Sequence, residues 1–205
     1  MIPRQITVTT SVPTRHRLLP SKHLMSCGWS MLILCYISAV VVDAAEPIIG
    51  ITAEVRFSPD GGCTAAIVRE LAAAKTSIHV QAYSFTSTPI AKALAEAKAR
   101  GVDVRVILDK SQRTEKYSGA DFIAHADIPV LIDVQPAIAH PKVMIIDAGV
   151  VITGSFNFTT SAETRNVENV LVLRSAELAA AYIANWQARA AVSVGYVHKG
   201  QDAKP

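Results

Sequence analysis

The sequence is poor in cysteine, with three in 205 residues. Cys27 and Cys35 precede Ala45, and only Cys63 follows it. A chain that has lost its leader can therefore form no intrachain disulfide, and no cysteine-based metal site exists. Cys63 reads as a small buried residue near a helix start. Clustered carboxylates, the H-E-x-x-H pair and the P-loop are missing too, which excludes those site designs. There is no low-complexity tract and no repeat. Nor is there a surplus of positive charge where it would count. The formal charge is +3, from twenty basic and seventeen acidic residues. Arg4, Arg15, Arg17, Lys22 and a single acid, Asp43, lie before Ala45, so sixteen bases face sixteen acids from there on. The pI of 8.8 describes the leader and is no sign of a nucleic-acid surface.

Half of the residues are apolar, enough for one full core in a chain of this length. Residues 1–44 have the layout of an export signal. A basic, acid-free region leads into the apolar run Met31 to Val42, and Val42-Asp43-Ala44 offers small residues for cleavage after Ala44. Twelve apolar residues are short for a spanning helix, which wants roughly 20. Counted from Leu24 the stretch reaches nineteen, interrupted by Ser26, Gly28 and Ser30, so an uncleaved membrane anchor is the alternative. Met25 and Met31 are alternative starts. The expected organisation is a leader over 1–44, a folded domain over 45–196 and a flexible tail over 197–205. The expected location is exported, periplasmic or secreted, with a membrane-anchored form as the alternative.

Ile51 to Ser58 alternates as a first strand, and Pro59-Asp60-Gly61-Gly62 turns the chain. Thr64 is placed to cap a helix over 65–75. A strand over 77–83 follows, then a helix opened by Ser87-Thr88-Pro89 and closed by Gly101, then a strand over 102–108. This β-α-β-α-β order predicts an α/β fold, with a mixed, mostly parallel β-sheet flanked by helices. Asp109 to Tyr117 is a polar loop holding Lys110, Arg113 and Lys116, either a solvated connection or a basic lip along a polyanion. A short helix over 120–126 and a strand over 129–133 lead to a loop before His140. Residues 158–164 are irregular or a helical turn. Val167 to Leu173 returns as a strand, and Ser175 caps a last helix over 176–191, with Trp186 on its inner face.

The chemistry is concentrated between Ala139 and Val170. His140-Pro141-Lys142 opens the stretch, and Asp147 follows after Val143, Met144, Ile145 and Ile146, giving H-x-K-x4-D. The apolar filler is a buried strand, Asp147-Ala148-Gly149 a turn, and Val150 to Thr153 the returning strand of a hairpin. In an extended chain residues two apart share a face, so His140 pairs with Lys142 and Ser155 with Asn157. An imidazole, an ammonium, a hydroxyl and an amide thus converge at one hairpin end. One can attack or shuttle protons, and the others can hold a phosphate's oxygens. Glu168 on an apolar strand is hard to explain as packing, because an unpaired buried carboxylate costs several kcal/mol. His79, His125 and His198 have no lysine two residues on and read as bystanders.

H-x-K-x4-D followed by Gly154-Ser155-Phe156-Asn157 and Glu168-Asn169 resembles the phospholipase D superfamily. Phe57-Ser58-Pro59, Ala82-Tyr83-Ser84-Phe85-Thr86 and Arg100-Gly101-Val102-Asp103-Val104 resemble its small bacterial endonuclease branch. The likeness runs from about Glu54 to Trp186 and implies that branch's α-β-α sandwich as the catalytic domain. It implies a phosphodiesterase that needs no metal or other cofactor. His140 would be the nucleophile of a phosphohistidine intermediate, and Lys142, Asn157 and Ser155 would hold the phosphate. Glu168 would fix the histidine tautomer. Asp147, counted with the catalytic set, more naturally supports the scaffold or the lysine. The mechanism takes two histidines where this chain has one such motif, so the resemblance implies a homodimer with both motifs at the axis. The implied substrate is DNA, with RNA as a second nucleic acid, and Lys110, Arg113, Lys116 and Arg165 are candidate backbone contacts. The alternatives are a phospholipid phosphodiesterase at a membrane, attached through the apolar leader, and a non-catalytic nucleic-acid-binding module.

Overall fold

In the computed structural model the residues described are 6–7, 48, 50–115 and 118–197. Nearly all of the leader, Lys116 and the tail beyond Val197 lie outside them. The strands are β1 (Ile6–Thr7), β2 (Thr52–Ser58), β3 (Ser77–Ala82), β4 (Asp103–Asp109), β5 (Val130–Asp133), β6 (Lys142–Ile146), β7 (Val150–Gly154), β8 (Glu168–Arg174) and β9 (Val194–Gly195). The helices are α1 (Cys63–Ala73), α2 (Thr88–Ala99), α3 (Ala120–His125), α4 (Thr160–Thr164) and α5 (Ala176–Ala190), and Lys110–Arg113 is a 3₁₀ turn.

One mixed sheet runs in the order β1-β2-β8-β7-β6-β3-β4-β5-β9. Only β3-β4-β5 are parallel neighbours, joined by the crossovers that carry α2 and α3. Every other neighbouring pair is antiparallel, which corrects the expectation of a mostly parallel sheet. The cause lies in the connections, because a parallel pair needs a long crossover whereas β6 and β7 are joined by three residues. In that turn Asp147 and Ala148 have φ of 51° and 50°, and Gly149 N donates to Ile146 O at 3.1 Å. Two successive positive φ values are the signature of the tight hairpin turn whose twist matches its strands.

The sheet has a core on each face, as period-two strands between two helical layers require. Ile78, Val80, Val104, Val106 and Met144 pack with Ile67 and Leu71 of α1 and Ile90 and Leu94 of α2. Ile107, Val143, Ile145 and Val151 point the other way, onto Ala179 and Trp186 of α5. Trp186 Nε1 donates to Val80 O at 3.0 Å, and His79 stacks edge-on against the indole. The start of α1 departs from expectation. The helix begins at Cys63 behind Gly62, and Thr64 caps nothing. Glu163 of α4 takes the Gly62 and Thr64 N–H groups at 3.0 and 2.6 Å instead. The Cys63 thiol is fully buried, and burial first, then the nearby Glu163 charge, push its pKa up to about 11, so it is an inert core residue.

Candidate active site

The register brings one end of seven strands together. Ala82 is paired with Lys142, Asp109 with Asp133, Gly154 with Val170 and Ser58 with Glu168. His140 stands exposed just before β6, while Lys142 at the strand's first position is 7% exposed. Lys142 Nζ lies 2.7 Å from Nδ1 and 2.9 Å from Nε2 of His140, and donates to the His140 carbonyl at 2.8 Å. An ammonium can donate only to a ring nitrogen that carries no proton, and the tautomer of His140 decides which of the two that is. Burial pushes the Lys142 pKa down, and the Glu168 charge opposes the shift. Tyr83 supports both groups. Its ring lies 4.6 Å from the imidazole, Nζ is 5.4 Å from its centre, and its N–H donates to Pro141 O at 3.0 Å.

The other two groups come from the end of β7. Gly154 has φ of +145°, and a Cβ there would lie 2.2 Å from Asn169 O, so no larger residue fits. That close approach lets Ser155 Oγ accept from Asn169 N at 3.1 Å and Asn169 Nδ2 at 3.4 Å. The hydroxyl proton remains available to an oxygen at the site. Phe156 and Phe158 are 1% exposed and pin this segment into the core. Alternation then turns Asn157 away from them. Asn157 Oδ1 is buried with no hydrogen-bond partner. A buried polar atom left unpaired costs about 1–3 kcal/mol; this oxygen can only accept, so it is the amide's Nδ2 that can donate to a phosphate oxygen.

Asp147 takes the scaffold role of the two expected for it, and the expected Glu168–His140 bond is not formed. Asp147 sits at the far end of β6, on the order of 20 Å from His140 at about 3.3 Å per residue. Its carboxylate accepts from Lys75 N, Thr76 N, Thr76 Oγ1 and Ser77 N at 2.9, 2.7, 2.8 and 3.0 Å. Burial alone would raise its pKa, but these donors hold it below the usual carboxylate range. Asp147 therefore builds the turn between α1 and β3 and is removed from the reacting set. Glu168 accepts from Asn166 Nδ2 at 3.1 Å, and among the described residues no hydrogen bond joins it to His140. Its influence on the site is the field it puts on Lys142.

Lys110 is exposed beside the loop before His140. Its Nζ donates to Pro136 O at 2.9 Å and holds the loop before His140. Arg113 and Arg165 are exposed at the same end of the sheet, and Lys116 lies outside the described residues. Sequence reasoning missed Asp109. This 3% exposed carboxylate at the end of β4 accepts from Ala139 N at 2.7 Å and Ser111 N at 2.9 Å, which fixes the residue next to His140. Burial pushes its pKa up, and the Ser111 and Ala139 donors with the Lys110 charge outweigh that and hold it low. An acid ending an apolar strand, where αβ folds gather their sites, was the available signal. Among the described residues, no group of three or more His, Cys, Asp or Glu side chains is placed to hold a metal ion.

A reactive imidazole, a buried ammonium and two neutral donors at the end of a sandwiched mixed sheet define a hydrolase of phosphodiester bonds. Residues 67–189 match the family described as cardiolipin synthase, PLD-like domain. The chain belongs to the phospholipase D superfamily, whose members hydrolyse phosphodiesters. It is 47% identical over 135 residues to "Phospholipase D" of Rickettsia bellii (strain RML369-C), covering 66% of this chain and 67% of that protein. It is 36% identical over 111 residues to "Mitochondrial cardiolipin hydrolase" of Homo sapiens, covering 54% of this chain and 44% of that one. Among solved structures it is similar to the phospholipase D family member Nuc from Salmonella typhimurium. The TM-score is 0.69 and the identity 41%, over 72% of this chain and 99% of that one.

Proposed function

We propose that this protein is a metal-independent endonuclease that cleaves DNA, and RNA as a second substrate, through a covalent phosphohistidine, with the site completed by a second copy of the chain. The observation that carries the reading is the Lys142–His140 contact at an exposed sheet end. The neutral His140 nitrogen bonds to phosphorus as the P–O bond to the leaving oxygen breaks. The twin His140, protonated, gives its proton to that oxygen, then takes one from water as water displaces the imidazole. Lys142, Asn157 and Ser155 hold the non-bridging oxygens, whose charge grows as the bonds change.

A twin is needed because the other described imidazoles are elsewhere. His79 is stacked on Trp186 beneath α5, and His125 Nδ1 is bonded to Asp121 O on α3. Apolar side chains at the same sheet end favour such a partner. Phe57 is 62% exposed, Ile138 57% and Val167 88%. Two equivalent imidazoles must divide the roles of nucleophile and proton donor between them, and an asymmetric substrate selects which attacks. The leader's layout supports export to the periplasm or beyond.

The names of the relatives support a second reading, a phospholipid phosphodiesterase with the same chemistry at a membrane. Plasmid DNA assayed in chelator, with wild type and His140→Ala run beside a sizing column, tests the proposal. Cleavage lost in the variant and confined to a dimer peak supports it, and full activity in a monomer overturns the two-copy site. Turnover of phosphatidylcholine or cardiolipin vesicles with DNA left intact overturns the choice of substrate.

A further inference from the structure

The loop that leads from β5 to His140 borders a cleft of about 440 Å3 on the α5 face of the sheet. His140 lines it, together with Gln81 of β3, Ile107 and Leu108 of β4, and Asn185 and the Asp133–Arg189 pair on the far side. Two features bear on what it holds. Gln81 is 4% exposed, and its neighbours in the sheet, Ile107 and Val143, engage only its backbone. Its amide makes no hydrogen bond to any described residue although it forms part of the cleft wall. A primary amide opening onto the cleft has two donors and an acceptor to offer a ligand. The second feature concerns charge. Arg189 Nε and Nη2 both donate to Asp133, at 2.8 and 2.6 Å, so the cation that lines the cleft is already neutralised.

These features separate the candidate occupants. A second phosphate or an anionic head group would find no free cation here. An acyl chain would fill the apolar part and leave the Gln81 amide desolvated without a bond. A planar heterocycle with donors and acceptors along its edge satisfies both parts, its face on Ile107 and Leu108 and its edge on an amide, the pairing side-chain amides make with bases. The volume is above the roughly 300 Å3 at which pockets accept small organic groups.

We propose that this cleft receives the nucleobase on one side of the scissile phosphate, with Gln81 and Asn185 reading its edge while His140 faces the phosphorus. This rests on the nuclease reading above and adds a base subsite to it. A base can enter only after leaving its stack, so single strands are cut faster than duplex.

The test compares kcat/KM of the full-length protein on two single-stranded oligonucleotides with one cleavable phosphodiester each, normal bases flanking it in one and abasic residues in the other. Bis(p-nitrophenyl) phosphate is run alongside. Removing the bases lowers wild-type kcat/KM about tenfold or more, as loss of a base contact does elsewhere. In Gln81→Ala the ratio between the two oligonucleotides falls toward one. Equal wild-type rates with and without bases overturn the subsite, and that comparison needs no variant to fold. Hydrolysis of the aryl diester that disappears in His140→Ala keeps the phosphodiesterase chemistry standing in that event. If the aryl diester and cardiolipin vesicles are turned over and neither oligonucleotide is, the nucleobase and the nuclease reading fall together.

Discussion

The two ends of the β6–β7 hairpin carry the same kind of side chain and treat it in opposite ways. At the closed end Asp147 receives four donors from the segment Lys75 to Ser77, and the turn is saturated. At the open end Asn157 Oδ1 is buried with none, Ser155 keeps a free proton and His140 stands exposed. Four apolar residues of β6, Val143 to Ile146, separate the two. A saturated polar group has spent its bonding capacity on the fold, whereas an unsaturated one is held in place by other residues and keeps that capacity for a ligand. The single pattern H-x-K-x4-D therefore contains one structural residue and two reactive ones.

The widest separation between the two ends is expected from His140→Ala. Turnover in chelator should fall by at least about 10³-fold, as for loss of a nucleophile elsewhere. Because the ring is exposed, unfolding free energy should move by no more than about 0.5 kcal/mol. A melt that drops with the activity would erase the distinction. Next comes Lys142, the ammonium that burial pushes toward deprotonation. Lys142→Ala should cost about 10²-fold in kcat. In the wild type the rate should decline as pH rises through the lowered lysine pKa, since only the charged form clamps the phosphate. Lys142→Arg, charged throughout, should lose that alkaline limb while remaining slower, and a pH–rate profile of both proteins checks it.

The closed end should answer in stability instead. Asp147→Asn should cost about 2 kcal/mol by chemical denaturation, because backbone N–H groups lose a charged acceptor. Its kcat per folded molecule should stay within a few-fold. The folded-state pKa of Asp147 is depressed, so its contribution is complete above the ordinary aspartate value of about 3.9 and is lost as pH falls toward the lower folded value. Wild type and variant should accordingly converge in acid. The smallest effect belongs to Ala148, whose φ of 50° strains an L-residue. Ala148→Gly should raise stability by about 1 kcal/mol and leave turnover unchanged.

The elements whose formation depends on near neighbours were legible in the sequence. The hairpin followed from an apolar run, a turn and a second run, and α5 from Ser175, whose Oγ accepts from Leu178 N at 3.2 Å. Pairings between distant residues were not. Thr64 satisfied the local rule for a cap, yet Glu163, 99 residues away, does the work. Asp109 read as the start of a polar loop and Gln81 as part of a strand, and their meaning appears only once the fold sets them beside Ala139 and the cleft. Lys110 was legible as a charge, whereas its bond to Pro136 O, 26 residues away, was not. The site was legible for the same reason as the hairpin: His140, Lys142, Ser155 and Asn157 come from one short stretch with period-two spacing.

One ladder sets the order in which all of this can assemble. β2 has β8 as its partner from Thr52↔Arg174 to Ser58↔Glu168, a loop of more than a hundred residues. Closing so long a span is slow, and on a ribosome it cannot be completed until Arg174 has emerged. Ser58, from the earliest part of the domain, binds Glu168 N and Asn166 O beside the reactive cluster. The catalytic end is thus tied off late, so a chain cut or stalled just after Asn157 would carry all four of His140, Lys142, Ser155 and Asn157 and still have no working centre.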